Sequence, residues 1–419
     1  MKKFFALLLS LAMVLALVAC GQKDPTPDTP DTPDDPQTKV EYKVAMITDY
    51  GDITDQSFNQ TTYEACKAFA EDNSIEFSYF RPAGDNTADR VAMIEKAVDE
   101  GFNVIVMPGY AFGGAIVEAA PEFPDVKFIA LDVAAGDLLE TAVAKAGESY
   151  DFTPENWDLN KYVDMSNVYC AVYQEELCGY MAGYATVKLG YKNLGFLGGM
   201  AVPAVVRYGY GFVQGANAAA ADMGLTDVTI NYIYGGQFFG DADITAVMDT
   251  WYQGGTEVVF ACGGGIYTSA VDAAKKVDGK VVGVDVDQAG VIAKYAAGDG
   301  ADEATIAKYL DLTVTSAMKG LYPATYDTLN DVINNGNWEK YVGKIETLGL
   351  VSGTDPEANY VQIPMGDGTQ WSDSFTQDDY KAMVADMFDG KVTVSNDTKK
   401  APTDFATAIT VNDQGQIKG

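Results

Sequence analysis

Apolar and polar positions recur along this chain with two periods, one of two residues and one of about 3.6. β-rich runs at Tyr42–Ile47, Ile75–Phe80, Val104–Met107 and Lys127–Leu131 predict strands. Between them, Ser57–Asp72, Thr87–Glu100 and Ala115–Phe123 carry the apolar stripe of amphipathic helices. The cadence then restarts, with strands predicted at Val168–Tyr173, Asn193–Leu197, Thr229–Tyr234, Val258–Cys262 and Val281–Val284. Helices are predicted at Glu175–Leu189, Tyr208–Met223, Ile244–Gln253 and Thr268–Lys276. Strands separated by such helices imply βαβ units and a parallel sheet. Two series in one chain predict an α/β protein of two doubly wound parallel-sheet lobes with a ligand cleft between them. Residues 136–166 and 353–376 interrupt the cadence with polar, irregular sequence and read as surface insertions.

The start of the chain follows another pattern. Lys2 and Lys3 precede an apolar run from Phe4 to Val18, broken at Ser10, and Leu17-Val18-Ala19-Cys20 closes it. A basic start, an apolar run and small residues before a cut describe an export signal over residues 1–19. The run is too short to cross ~30 Å of hydrocarbon comfortably. Its last residues resemble a bacterial lipobox, which implies cleavage before Cys20 and acylation of that residue. Residues 21–38 are almost entirely Pro, Asp, Thr, Gln and Lys. With Cys20 they predict a lipid-anchored, extended tether over 20–39, because such a stretch cannot bury apolar surface. Folded sequence from residue 40 onward is too long for one small core and suits two lobes.

Composition narrows the function further. Lys and Arg total 28 against 60 Asp and Glu, a formal charge of −32. So acidic a surface repels nucleic acid and anionic lipid, and no nucleic-acid partner is expected. The chain has no histidine, which excludes a Ser-His-Asp triad, a Cys-His pair and a His-ligated zinc site. Besides Cys20, Cys66, Cys170, Cys178 and Cys262 lie in apolar runs and read as small buried hydrophobes. A Cys170–Cys178 disulfide is the alternative outside the cytoplasm.

In open parallel sheets, ligands gather beyond the carboxyl ends of the strands. Thr48 to Asn59 follow the first strand, Pro108 to Gly114 the third, and Asp132 ends the next. In the second series Gly198-Gly199, Tyr234 to Asp241, Cys262 to Gly265 and Asp285 to Gln288 hold the corresponding places. Carboxylates, aromatics and glycines dominate this set. Carboxylates accept hydrogen bonds from a neutral, hydroxyl-rich ligand; aromatic faces suit a flat ring; glycines admit backbone donors. Plainer roles compete: Asp52 and Asp55 as turn and cap residues, Phe58 as core, Gly263-Gly264-Gly265 as a turn. Gly209-Tyr210-Gly211 with Gly215 looks like a dinucleotide loop, but its spacing is wrong and it lies inside a predicted helix.

Thr48-Asp49, Gly51, Asp55 and Ser57-Phe58-Asn59-Gln60 resemble the opening motif of the basic membrane protein (BMP) family. These are purine-nucleoside-receptor lipoproteins that serve ABC transporters. Asn167-Val168, Gly183-Tyr184, Phe196-Leu197-Gly198-Gly199, Gly211-Phe212 with Gly215-Ala216 and Phe239-Gly240-Asp241 follow in the family's order. So do Gly263-Gly264-Gly265, Gly283 to Gln288 and Thr315-Ser316 with Lys319, so that the resemblance covers about residues 42–350. It implies a type I periplasmic binding fold with three crossings near 167, 287 and 319. The lobes would then be 40–167 with 288–318, and 168–287 with 319–419. By the same resemblance, Phe58 and Phe239 would sandwich a base whose edge Asp49 and Asn59 read. Asp285 would hold ribose hydroxyls with Gly263, Gly264, Gly265 and Lys319 nearby, and Asp132 is a further member. Phe238 stands beside Phe239 as a second candidate ring. The insertions at 136–166 and 353–376 depart from the family pattern.

The function expected is that of a lipid-anchored, extracytoplasmic solute-binding protein. It would deliver a nucleoside to an ABC permease, with no catalysis, cofactor or metal. The same fold binding a sugar or an aromatic metabolite is one alternative. A calcium-dependent nucleoside hydrolase using Asp49, Asp52 and Asp55 is another, and a purely structural surface protein a third.

Overall fold

The computed structural model describes residues 41–418; the export signal, Cys20 and the tether lie outside these. The first series runs β1 (Lys43–Ile47), α1 (Phe58–Asn73), β2 (Glu76–Phe80), α2 (Thr87–Asp99) and β3 (Val104–Pro108). It continues with α3 (Gly113–Ala119), β4 (Lys127–Leu131), α4 (Ala135–Lys145), α5 (Leu159–Tyr162) and β5 (Val168–Tyr173). The second series holds α6 (Glu175–Lys188), β6 (Asn193–Gly198), α7 (Pro203–Met223), β7 (Thr229–Tyr234), α8 (Ala242–Gln253) and β8 (Val258–Cys262). After these come α9 (Tyr267–Ala274), β9 (Lys280–Asp285), α10 (Ala289–Ala297), α11 (Glu303–Ile306) and β10 (Thr313–Lys319). The remainder is α12 (Leu321–Ile333), β11 (Ile345–Leu348), β12 (Val361–Gln362), α13 (Gln377–Phe388) and β13 (Thr410–Gln416).

Two sheets result, ordered β11-β5-β4-β3-β1-β2 and β12-β10-β9-β8-β6-β7-β13. All pairs are parallel except β10 with β12. Without the added edge strands, the two sheets are wound identically, β4 matching β9 and β5 matching β10. Central strands such as β3 (Val-Ile-Val-Met-Pro) and β8 (Val-Val-Phe-Ala-Cys) are buried along their whole length, as strands covered on both faces must be. Cys66, Cys170, Cys178 and Cys262 are buried free thiols, so the Cys170–Cys178 alternative falls.

Strand pairing moves the expected lobe boundaries. Residues 168–173 pair with β4, Phe128 opposite Val168, so the first crossing lies after Tyr173 rather than near 167. Residues 313–319 pair with β9, Met318 opposite Asp285, so 288–318 stays in the second lobe and no crossing occurs near 287. Instead α12 packs on α1, with Tyr326 edge-on to Phe69, and β11 then pairs with β5. The crossings therefore fall at Gln174, Gly320 and between Gly349 and Tyr360. They are laced together by Gln174 N–H to Leu348 C=O at 3.0 Å, Tyr360 N–H to Gly349 C=O at 3.0 Å and Gly320 N–H to Tyr360 C=O at 2.7 Å.

Both presumed insertions also contain structure. Ala135–Lys145 is helical because Leu138, Leu139, Ala142 and Val143 are buried, an apolar face that the neighbouring polar residues obscure in the sequence. In 353–376, β12 pairs with β10, and Ile363 and Phe375 are fully buried.

The glycines of α6 and α7 let these two helices approach to backbone contact. A Cβ on Gly179 or Gly183 would collide with the main chain of Tyr208 or Phe212, and one on Gly211 with that of Glu176. This is close helix packing and not a dinucleotide loop. It also fixes the first turn of α6 against the early turns of α7.

Candidate functional site

A cavity of about 430 Å³ lies between the two sheets, beyond the carboxyl ends of their strands, where this fold class collects ligands. Asp49, Phe58, Asn59, Asp132, Phe239, Gly263, Gly264, Gly265, Asp285 and Lys319 all line it. Tyr50, Asp52, Tyr110 and Phe238, from the expected strand-end runs, line it too, as do Arg81, Asp137, Arg207 and Tyr208, which the sequence did not single out as a site.

The first lobe contributes the loop from Asp49 to Asn59. Asp49 accepts the N–H groups of Tyr50 at 2.6 Å and Gly51 at 2.7 Å. Burial nevertheless raises its pKa above the ordinary carboxyl value. Asp55 is the anchor of α1: its carboxylate accepts from the N–H of Ser57, Asn59 and Gln60 at 3.0, 2.9 and 3.0 Å. The cap role expected of it is therefore present. Asp55 also accepts the Asn59 side-chain N–H at 3.1 Å. A carboxylate can only accept, so this bond fixes which end of the Asn59 amide is oxygen. That oxygen, Asn59 Oδ1, is buried with no partner.

Asp52 hydrogen-bonds Thr54 and pairs with Arg81 at 2.8 Å. Asp49, Asp52 and Asp55 thus face three different tasks, and among the described residues no set of three carboxylates is gathered as cation ligands.

Asp132 and Asp285 end matching strands and share a left-handed backbone, with φ of 59° and 65°. Such conformations cost an L-residue about 1 kcal/mol or more and persist where the surroundings impose them. Asp285 Oδ2 accepts the Ser57 hydroxyl from the other lobe at 2.6 Å, and Oδ1 accepts that of Tyr208 at 3.1 Å. Asp132 pairs with Lys319 across the cleft, yet its Oδ1 is buried and unpartnered. Burial lifts the Asp132 pKa to about 6 against the opposing pull of Lys319.

Lys319 lies 3.5 Å from Glu175, 3.8 Å from Asp285 and 4.7 Å from the centre of the Phe58 ring. Burial works against its charge, but the carboxylates of Asp132, Asp285 and Glu175 outweigh that and hold the ammonium above the lysine range. Arg207 is tied to Glu175 at 2.6 Å, a pairing created by the close α6–α7 packing. Pro203 opens α7, and proline at a first helical position is a recognised start signal. Reading it would have extended the predicted helix back from Tyr208 and brought Arg207 into view.

The two candidate rings separate clearly. Phe238 packs into the backbone, its Cδ1 at 2.8 Å from where a Gly263 Cβ would stand. Phe239 remains 55% exposed and is held by a bridge to Gly265.

Residues 42–354 match the family described as ABC transporter substrate-binding protein, PnrA-like. The nucleoside-binding protein BmpA of an ABC transporter in Lactococcus lactis is 25% identical over 92% of this chain and 96% of its own. An uncharacterized lipoprotein of Pyrococcus abyssi is 26% identical over 75% of this chain and 69% of its own. Among solved structures, an ABC transporter solute-binding protein from Conexibacter woesei superposes with a TM-score of 0.58 at 20% identity. That match covers 85% of this chain and 99% of the other. Among the described residues no helix is long and apolar enough to cross a membrane.

Proposed function

Because the chain belongs to the PnrA-like family of ABC transporter substrate-binding proteins, we propose that it is the extracytoplasmic receptor for a purine nucleoside. The observation that carries this reading is the pair of buried, unpartnered acceptors Asn59 Oδ1 and Asp132 Oδ1 in a cavity also lined by Phe58 and Phe239. Buried polar atoms are nearly always paired, and both orphans belong to side chains that line this cavity, so ligand donors are the partners we assign them. A purine edge supplies N–H groups, a ribose supplies O–H groups, and the aromatic rings suit the base. The nucleoside-binding name of the Lactococcus lactis relative points the same way.

In this reading Phe58 and Phe239 bracket the base from opposite lobes, and Asn59 with Asp49 reads its edge. Asp285 accepts ribose hydroxyls with its remaining lone pairs, while Asp132 and Lys319 close the far wall. Binding, lobe closure and release to a permease suffice, without catalysis. Cys20 carries the lipid anchor, and the acidic tether spaces the receptor from the membrane. The test is a thermal-shift panel of purine and pyrimidine nucleosides, free bases, ribose and hexoses, with the products followed for hours. Stabilisation by purine nucleosides without release of free base supports the reading; stabilisation by a hexose alone, or accumulating free base, rejects it.

A further inference from the structure

The chain beyond the family-matched residues returns to the mouth of the cavity. After α13 it runs along α7, where Gln214 accepts the N–H of Ser395 at 2.8 Å and donates to its C=O at 2.9 Å. Asn217 accepts the N–H of Thr407 and Ala408 at 2.8 and 2.7 Å. β13 then adds to the outer edge of β7, Thr410 opposite Thr229, and Ile417 N–H donates to Tyr234 C=O at 2.8 Å. This brings Lys418 beside the loop that carries Phe239.

The lobe itself holds the two ends of that loop, Gly265 N–H donating to Phe238 C=O at 2.9 Å and Asp241 N–H to the Ser269 hydroxyl at 3.0 Å, and the tail adds a clamp from outside. Lys418 pairs with Asp241 and lies 3.3 Å from Gln237 Oε1, so one ammonium bridges the residues on either side of Phe238 and Phe239. Gln237 in turn donates to Phe239 C=O and to Asp241, both at 2.9 Å. Asp241 caps α8 through the N–H groups of Asp243 and Ile244. The backbone also closes in: a Cβ on Gly236 would stand 2.6 Å from Lys418 C=O. The clamp thus joins the tail, the helix cap and the main chain of an exposed ring.

We propose that Lys418 is a positioning residue of the ligand site, and that the β13 strap holds the Phe239 loop in its ligand-facing conformation. The proposal rests on Phe239 facing the ligand, as argued above. A ring held in place before binding loses less freedom when the ligand arrives, so the strap raises the affinity of the site.

The test places 4-fluorophenylalanine at position 239 in the full chain and compares Lys418→Ala and Lys418→Arg with the parent. The fluorine line without ligand reports the loop, and calorimetry with guanosine reports affinity. Lys418→Ala should broaden or shift the line and weaken guanosine binding about two- to fivefold, with the melting temperature almost unchanged. Lys418→Arg should restore both. An unchanged line in Lys418→Ala, or an altered line with unchanged affinity, overturns the proposal. If the parent chain binds no nucleoside, the nucleoside reading fails separately, and the fluorine comparison still decides whether Lys418 orders the loop.

Discussion

The two lobes share a winding order but bring different chemistry to the cleft. The first offers acceptors: the Asp49–Asn59 loop and Asp132, with Asn59 Oδ1 and Asp132 Oδ1 left buried and unpaired. The second offers Gly263 to Gly265, the Phe239 ring, and the cations Lys319 and Arg207. The matched aspartates show the contrast best. Asp285 is held by Ser57 from the opposite lobe and by Tyr208, whereas Asp132 has one oxygen on Lys319 and one with no partner. Equal topology thus fixes where a carboxylate stands, and the surrounding side chains fix what it can do.

This contrast can be broken by substitution. Asp285→Asn removes the charge that organises Ser57, Tyr208 and Lys319, and should weaken purine-nucleoside binding about 100-fold or more in calorimetric titration. Asp132→Asn should cost about tenfold, because Lys319 keeps Glu175 and Asp285. Equal losses would remove the distinction between the two aspartates.

The rings come next. Phe58→Ala and Phe239→Ala should each cost about 1–3 kcal/mol of binding by loss of stacking on the base. Phe238→Ala, which empties a contact with the glycine backbone, should lower the melting temperature more than the affinity. The reverse pattern would exchange the roles of the two neighbouring phenylalanines.

A third comparison concerns one desolvated carboxyl in each lobe, Asp137 half-buried at the cavity and Glu176 buried. Burial pushes Asp137 and Glu176 up to about 7, but Asp137 accepts the Ala134 N–H at 2.7 Å whereas Glu176 Oε2 has no partner. In the folded chain such a group keeps its proton after the unfolded chain has lost it. The contribution of each such group to stability therefore falls as pH rises from about 4 to about 7 and levels off above that. Glu176→Gln should flatten this slope and stabilise the chain at pH 8 by on the order of 2 kcal/mol, read from denaturant titrations across pH. The smallest effect is expected at the surface, where exposed Lys399 reaches Glu155 of the other lobe at 3.6 Å. Lys399→Ala should change affinity less than about twofold.

Much of this was legible in the sequence, because periodicity reports burial. β4, β5, β7 and β8 run over the predicted residues, since their apolar runs are bounded by polar turns. The strand-end rule gathered the candidate residues for the same reason: parallel sheets put all their carboxyl ends on one side. What escaped depends on pairing between distant segments. Residues 313–319 carry no local mark of the sheet they join, so sequence alone puts a crossing near 287 that the chain does not make, while the one expected near 319 falls at Gly320. Arg207 enters the cavity wall only because glycines let α6 and α7 touch, and its partner Glu175 looks in sequence like any acidic residue in a first helical turn.

The most direct test of the account is isothermal titration of the full chain with guanosine at two temperatures. One-to-one saturable binding with a negative heat-capacity change is predicted, as an apolar, ring-lined cavity closes over the base. Absence of binding by guanosine, adenosine and inosine alike would contradict the central claim and leave the two-lobed fold with a different ligand.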